Sequence, residues 1–393
     1  MSAPLPNRDR LATRLIHAGQ SPDPLTGAVI TPVYTSTTFV QDGIGRNRGY
    51  DYTRSGNPTR LVLEACLADL ENAGAAFAFP SGLSAAATAL ELLPAGSRIL
   101  AHTDVYGGIH RLLADVRTHT AGHQVRFVDF SDSAALEQAA ESGADMLWFE
   151  TPSNPLLRIV DLAAVAHIAK RIGAISVCDS TFASPCGQLP LDFGIDVVMH
   201  SATKFLAGHS DLLGGVLAVS AEAPEALTAR VRYLQNALGA VMCPIDCALL
   251  LRSLKTLSVR VDRQAANAAL LAQHLAANAQ ALGLSEVIYP GLASHPGHAV
   301  AARQMENFGA LISLKLTGGL ERVERVLSST RLFQFAVSLG GVESLIQHPA
   351  SLTHAVIPQD QRAITGIGDD LIRLSVGIED AGDLLADLLN ALT

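Results

Sequence analysis

One lysine, Lys204, stands where an amine can do covalent chemistry. It follows the apolar run at residues 197–199, which predicts a buried strand, and lies in the segment DVVMHSATKFLAGHSDLLGG at residues 196–215. Burial disfavours an ammonium ion, and condensation of the amine with a carbonyl group to a Schiff base removes the charge. Taken by itself, the segment also fits a lysine at a turn that extends to water. The pattern indicates a Schiff-base lysine that other groups must support.

Pyridoxal 5'-phosphate (PLP) is a carbonyl cofactor that such a lysine could hold, and it needs further groups. Asp179 ends the apolar segment ISVCD and could keep the pyridine nitrogen protonated, or it could cap a helix. Tyr106 follows RILAH and could stack on the ring, or be an ordinary packed aromatic. Helix amide groups bind phosphate, although a tight strand-to-helix turn would need the same glycine. The candidate phosphate ligands are Gly82, Leu83, Ser201 and Thr203.

The elements that must position these groups alternate between strand and helix over residues 58–220. This alternation predicts an α/β fold with a mainly parallel, seven-stranded sheet covered by helices on both faces. Ligands of such sheets bind beyond the carboxyl ends of the strands, where each candidate group falls. The predicted strands are 76–79, 98–102, 124–130, 145–150, 174–179, 196–200 and 216–219, and the predicted helices are 59–71, 84–93, 134–141 and 162–171.

Outside residues 58–220, the residue pattern no longer shows this regular alternation of strands and helices. After residue 239, long Ala- and Leu-rich stretches precede further strand-like segments, which predicts a smaller C-terminal α/β domain. The first fifty or so residues have many turn formers and little periodicity, which is typical of an arm that contacts a neighbouring subunit. We predict the arm at 1–57, a large PLP-binding domain at 58–250 and a C-terminal domain at 251–393. The predicted C-terminal elements are helices 247–256 and 261–282 and strands 285–289, 310–317 and 371–376.

Composition limits the function classes. The chain has 393 residues, 49% of them hydrophobic, and a formal net charge of −9, so we expect no nucleic-acid partner. No apolar run reaches membrane-spanning length and the start MSAPLPNRDR lacks a signal-peptide core, so we expect a cytoplasmic protein without a membrane partner. The five cysteines are scattered without zinc-site spacing, so we expect reduced thiols and no metal.

Eight ordered motifs resemble the Cys/Met-metabolism family of PLP-dependent enzymes, over almost the whole chain. The family comprises cystathionine β-lyases, γ-lyases and γ-synthases, methionine γ-lyases and homoserine sulfhydrylases. The chain departs from the usual motifs at Ser180, where many members have Asn, and at Pro80, where a small residue is commoner. The motifs are YDYTRSGNPTR from Tyr50, PSGLSAA from Pro80, DVYGG from Asp104, ETPSNP from Glu150, DSTFASP from Asp179, HSATKFLAGHSD from His200, SLGGVESL from Ser338 and RLSVGIED from Arg373.

The resemblance implies the aspartate-aminotransferase-like fold, fold type I of PLP-dependent transferases, and a role for each candidate. Lys204 would bind PLP and move the substrate's α-proton, with Tyr106 and Tyr52 as further catalytic residues. Asp179 would pair with the pyridine nitrogen. Tyr52 and Arg54 would reach the phosphate from the adjacent subunit, in a homotetramer built of dimers that share active sites. The other residues implied to bind PLP are Gly82, Leu83, Thr181, Ser201 and Thr203.

The substrate implied by the resemblance is a small sulfur amino acid. Arg373 would hold its α-carboxylate in a forked pair, which suits a planar guanidinium. Asn154 and Ser338 would help. The other residues implied to bind the substrate are Val337 and Arg111.

The same two residues distinguish the branches of the family. The γ-lyases and γ-synthases usually carry glutamate before the serine of SLGG, whereas this chain has Val337. An apolar residue there resembles the bacterial β-lyases and the methionine γ-lyases. Arg111, after the stacking tyrosine, could hold the distal end of cystathionine or could be a solvated helix residue. Together they favour cystathionine β-elimination to homocysteine, pyruvate and ammonia. The alternatives are a cystathionine or methionine γ-lyase, a cystathionine γ-synthase or O-acetylhomoserine sulfhydrylase, and a non-catalytic PLP-binding protein.

Overall fold

A seven-stranded sheet forms the larger part of the protein in a computed structural model that describes residues 11–355, 362 and 365–393. Its strands are β1 (Ala73–Phe79), β2 (Arg98–His102), β3 (Gln124–Val128), β4 (Met146–Glu150), β5 (Ile175–Asp179), β6 (Val197–Ser201) and β7 (Gly215–Ser220). Their order in the sheet is β1-β7-β6-β5-β4-β2-β3. The prediction of a seven-stranded, mainly parallel sheet is confirmed.

One strand, β7, runs antiparallel to both of its neighbours, β1 and β6. The other neighbouring pairs of the sheet are parallel. Because β7 returns directly from β6, Ser201 at the end of one strand pairs with Gly215 at the start of the other. The carboxyl ends of β1, β2, β4, β5 and β6 therefore lie at one edge of the sheet, together with the amino end of β7.

Helices cover both faces of this sheet. Along β6, Val197 and Met199 pack into one buried cluster and Val198 into another, as expected for a strand buried on two sides. No helix in the described ranges combines the length and the apolarity needed to cross a membrane. The helices are α1 (Leu11–His17), α2 (Pro58–Leu70), α3 (Gly82–Leu90), α4 (Gly107–Arg111), α5 (Thr118–Ala121), α6 (Ser133–Ala140), α7 (Leu162–Ile172), α8 (Ser184–Gly187), α9 (Glu225–Leu238), α10 (Pro244–Leu254), α11 (Leu257–Ala277), α12 (His298–Gln304), α13 (Gly319–Ser329) and α14 (Ala381–Leu392).

A second sheet of five strands follows in the C-terminal part. Its strands are β8 (Leu284–Ile288), β9 (Leu311–Leu316), β10 (Gln334–Phe335), β11 (Leu345–Gln347) and β12 (Leu371–Ser375), in the order β10-β11-β12-β9-β8. The sequence pattern predicted three of them and missed β10 and β11, which have two and three residues and show no periodicity. The predicted limits of the arm and of the two domains stay predictions.

Candidate active site

A cleft of about 360 Å³ opens at the carboxyl edge of the seven-stranded sheet, with walls from both sheets. A volume of this size suits a small organic ligand. Three predicted site residues, Tyr52, Arg54 and Arg111, do not line the cleft of their own chain. The predicted residues that line it are Gly82, Leu83, Tyr106, Asn154, Asp179, Thr181, Ser201, Thr203, Lys204, Val337, Ser338 and Arg373.

Lys204 projects into the cleft from the turn that follows β6. Its amide donates to the Ser201 carbonyl at 3.1 Å, and its carbonyl accepts from the Gly208 amide at 2.8 Å. The side-chain Nζ lies 3.0 Å from the Ser338 hydroxyl, which accepts its hydrogen bond. Burial, helped by the nearby Arg373 cation, lowers the pKa of Lys204 to about 8. More of this amine is therefore neutral and nucleophilic near neutral pH than of a lysine in water.

A buried arginine of α11, Arg260, holds the lysine loop in place. Its guanidinium donates to the Phe205 carbonyl at 2.8 Å and to the Leu206 carbonyl at 3.3 Å. Gly208 has φ +69°, and a Cβ there would lie 1.9 Å from Arg260 Nη1, so only glycine fits. The helix of the C-terminal part thus fixes the backbone that carries Lys204.

The start of α3 forms an anion site beside this loop. Ser81 caps the helix by accepting from the Ser84 amide at 3.1 Å, which leaves the amide groups of Gly82 and Leu83 for a ligand. A Cβ on Gly82 would lie 3.0 Å from Cβ of Ser201, so the helix start and the end of β6 are in close contact. Backbone amide groups at a helix N-terminus suit a phosphate.

Asp179, at the end of β5, is buried and held by a threonine. Its Oδ1 accepts from the Thr181 amide at 3.0 Å and from the Thr181 hydroxyl at 2.5 Å. The same hydroxyl accepts from the Ser201 amide at 2.8 Å, which ties Asp179 to the phosphate side of the cleft. Burial raises the pKa of Asp179. A cation beside it, such as a protonated pyridine nitrogen, would stabilise the carboxylate.

Tyr106 stands at the N-terminus of α4, with part of its ring exposed. Its amide donates to Glu150 Oε2 at 2.9 Å. A Cβ on Gly108 would lie 2.5 Å from Tyr106 Cε1, so the glycine lets the ring rest on the helix start. Glu150 lines the cleft but was not among the predicted site residues. Burial and the neighbouring Asp179 raise the pKa of Glu150 well above its usual range.

Arg373 of β12 is buried in the opposite wall. Its Nη1 donates to Asn154 Oδ1 at 2.7 Å, and its Nη2 donates to the Ser338 carbonyl at 3.0 Å and to Gln347 Oε1 at 2.6 Å. Its Nε is buried without a partner among the described residues. Burial lowers the pKa of Arg373 to about 10. A buried guanidinium with a spare donor, facing a cleft, suits a carboxylate ligand.

Gln347 is a further site residue that the sequence pattern missed. It is buried on β11, lines the cleft and accepts from Arg373. The available signal was an amide side chain directly after the apolar pair Leu345 and Ile346, which predicts a buried polar group with a fixed partner.

The three predicted residues outside the cleft are all exposed. Tyr52 is 46% exposed and Arg54 stands beside it, with its guanidinium carbon 5.8 Å from the centre of the Tyr52 ring. Arg111 is the last residue of α4, is exposed and does not line the cleft. Val337, by contrast, is 58% exposed and does line the cleft.

The groups that line the cleft fit PLP. The cleft is lined by the Lys204 amine, the buried Asp179 carboxylate and the anion site at the start of α3. The Nε of Arg373, which has no partner among the described residues, leaves a donor for a substrate carboxylate. The model of the Cys/Met metabolism PLP-dependent enzymes matches residues 12–393 of the chain. The chain belongs to this family. Its cofactor is accordingly pyridoxal 5'-phosphate.

Members of the family that are similar to this chain have different activities in their names. A cystathionine β-lyase of Coxiella burnetii is 50% identical over 100% of both chains. A cystathionine γ-lyase of Dictyostelium discoideum is 46% identical over 98% of both chains. The crystal structure of a cystathionine γ-synthase from Xanthomonas oryzae, in complex with cystathionine, has a TM-score of 0.93 and 43% identity over 97% of both chains. These matches confirm the predicted fold, and they leave the exact reaction to the residues of the cleft.

Proposed function

We propose that the protein cleaves cystathionine by β-elimination to homocysteine, pyruvate and ammonia. The observation that carries the proposal is Val337, an apolar side chain at the cleft beside Ser338. The cystathionine γ-lyases and γ-synthases of the family usually have glutamate there. The 50% identity to the Coxiella protein named cystathionine β-lyase supports the same reading.

Each residue of the cleft then has a role. The cofactor supplies an electron sink for the charge that develops on the substrate α-carbon. Lys204 binds the cofactor and moves the α-proton, and the Ser338 hydroxyl, 3.0 Å from its Nζ, orients the amine. Asp179 would pair with the pyridine nitrogen of the bound cofactor, and Tyr106 would stack on its ring. Arg373 and Asn154 bind the substrate α-carboxylate.

The proton balance supports β-elimination. One proton leaves the α-carbon and one is taken up by the departing thiolate, so the single amine of Lys204 serves both steps. Elimination at the γ-carbon requires a second proton to be removed from the β-carbon. The carboxyl groups among the lining residues are Glu150 and Asp179, and each already accepts a hydrogen bond from the protein. No additional base stands at the position of Val337.

One observation favours a second candidate, a methionine γ-lyase. Arg111, which would recognise the distal end of cystathionine, is exposed and lies outside the lining of the cleft in its own chain. An apolar residue such as Val337 also occurs in the methionine γ-lyases. Incubation with cystathionine and then with methionine separates the two candidates, because the β-lyase forms pyruvate and the γ-lyase forms 2-oxobutyrate. A transferase would form neither oxoacid from an activated homoserine and a thiol.

The exposed positions of Tyr52 and Arg54 support sites shared between subunits. Neither residue lines the cleft of its own chain, although both belong to a motif of the family. The segment before them also exposes large apolar side chains, including Val29, Val40 and Ile44, whose exposed fractions are 81%, 81% and 106%. Such a surface is typical of a subunit contact. We propose a homotetramer in which each arm completes the cofactor site of a neighbour.

Replacing Val337 with glutamate is expected to raise the ratio of 2-oxobutyrate to pyruvate formed from cystathionine by about tenfold, because the new carboxylate can remove the β-proton. The measurement is chromatographic identification of both oxoacids. Val337→Gln is the matched control, since it adds the same length without a base. An unchanged ratio in the glutamate variant would show that this position does not choose the reaction.

The rate of reloading the cofactor-free protein with PLP is expected to rise about tenfold per pH unit up to pH 8 and then to level off. Only the neutral amine attacks the cofactor carbonyl, and burial lowers the pKa of Lys204 to about 8, so the neutral fraction rises with pH up to that value. Stopped-flow recording of the visible absorbance measures the rate. A midpoint near 10.5, the ordinary value for lysine, would contradict the buried position of the amine.

A further inference from the structure

A buried arginine lies at the base of the arm. Arg60 of α2 is 1% exposed and donates from Nη1 to the Thr53 carbonyl at 2.9 Å and from Nη2 to the Arg54 carbonyl at 3.1 Å. One planar guanidinium thus holds two consecutive carbonyl groups of the arm. The side chain of Arg54 starts from this fixed stretch and is itself exposed.

Glu64, one helical turn after Arg60, connects this anchor to the large sheet. Its Oε1 lies 3.7 Å from Arg60 Nε and accepts from the Ala78 amide at 3.0 Å and from Gln235 Nε2 at 3.1 Å. Burial raises the pKa of Glu64, and the Arg60 cation acts in the opposite direction. The network therefore joins the base of the arm to β1 and α9, which are rigid elements of the same chain.

Arg60 does not line the cleft of its own chain. We infer that Arg60 is a positioning residue for the neighbouring subunit, where it aims Arg54 at the cofactor phosphate. The inference rests on the proposed sharing of sites between subunits. A side chain that extends into another subunit loses conformational freedom on binding, and a fixed backbone lowers that loss. The anchor consequently raises the affinity of the neighbour for PLP.

Arg60→Lys tests the anchor while keeping a positive charge beside Glu64. An ammonium group has no planar fork for the two carbonyl groups, so the affinity for PLP is expected to fall about tenfold. Arg322→Lys is the matched control. Arg322 of α13 is partly buried, and its guanidinium also donates to two backbone carbonyl groups, those of Leu282 and Leu392, at 2.7 and 2.8 Å, away from the arm. This control is expected to lower the melting temperature similarly and to leave the affinity for PLP unchanged.

Hybrid oligomers separate an effect on the neighbour from a general loss of stability. Chains with Arg60→Lys are co-expressed with an excess of Lys204→Ala chains, and the hybrids are isolated through two affinity tags. The visible absorbance of lysine-bound cofactor then reports only on clefts of the Arg60→Lys chains, which receive an intact arm from their Lys204→Ala neighbours. Titration with PLP is expected to give the wild-type affinity in the hybrids.

A second hybrid, of Arg54→Ala with Lys204→Ala, tests the sharing of sites separately from the role of Arg60. If affinity returns in this hybrid but stays low in the Arg60→Lys hybrid, Arg60 acts within its own subunit and the inference is overturned. If affinity returns in neither, the sharing of sites is itself wrong and the inference falls with it. Recovery in both hybrids supports the anchor. If the Arg60→Lys protein fails to fold, Arg60→Met replaces it in the same hybrids, and the same outcomes support or overturn the inference.

Discussion

Replacing Lys204 with alanine is expected to abolish the visible absorbance of the bound cofactor and to lower kcat by at least about a thousandfold. In the proposed mechanism, the substitution removes both the covalent link to the cofactor and the group that moves the α-proton. Among the described residues the Lys204 Nζ has one hydrogen-bond partner, the Ser338 hydroxyl at 3.0 Å, so the substitution breaks few polar contacts of the fold. The absorption spectrum and the rate of oxoacid formation are the measurements.

Lys170→Ala is the control for this variant, because Lys170 is an exposed lysine in the last turn of α7. It is expected to keep the spectrum and the activity of the unchanged protein. If the Lys204 variant retained both visible absorbance and turnover, the cofactor would be held by another lysine and the assignment would be wrong.

Replacing Arg373 with lysine is expected to lower kcat/KM for cystathionine by about a hundredfold, mostly through KM, with PLP still bound. The guanidinium is held by Asn154, Ser338 and Gln347, so its orientation is fixed before the substrate arrives. A lysine cannot reproduce the forked pair with a carboxylate. The effect falls on KM because the α-carboxylate is bound equally in the substrate complex and in the transition state.

Arg252→Lys provides the comparison, since Arg252 is an exposed arginine of α10 that does not line the cleft. Steady-state kinetics and the visible spectrum are measured for both variants. A hundredfold effect that lay entirely in kcat, or a loss of bound PLP, would indicate that Arg373 does not serve the substrate carboxylate.

The residues on the cofactor side of the cleft could be predicted from sequence, because each lies close in the chain to the end of a strand. Gly82, Asp179 and Lys204 each follow an apolar strand within a few residues, and parallel strands bring their carboxyl ends to one edge. Knowing the strands therefore places these residues together. The predicted bounds of the strands agree with the structure to within a few residues for the same reason.

The opposite wall could not be predicted from local pattern. Lys204 and Ser338 are 134 positions apart and Arg373 and Asn154 are 219 apart, so their contacts depend on how the two sheets pack. The sequence pattern places Glu150 only at the end of a strand. Its burial depends on residues that are distant in the chain, so local pattern could not predict it. The family resemblance supplied Ser338, Asn154 and Arg373, but neither it nor the periodicity singled out Gln347.

Some elements were missed for energetic reasons. The strands β10 and β11 are stabilised by pairing with their neighbours in the sheet and not by their own propensity. Helix α9 has two arginines and only two buried apolar residues, Val231 and Leu234, so its pattern resembles a solvated linker.

The exposure of Val337 also bears on how such proteins diverge. A side chain that is 58% exposed and lies at the mouth of a cleft can be exchanged at a cost to folding of only about 0.5 kcal/mol. Lys204, Asp179 and Arg373 have no such freedom, because burial and hydrogen bonds hold them. With the proposed role of Val337 in choosing the reaction, substitutions at this exposed position can change the reaction while the buried residues of the cleft and the stability of the fold stay unchanged. Relatives that share nearly half of their residues with this chain accordingly have three different activities in their names.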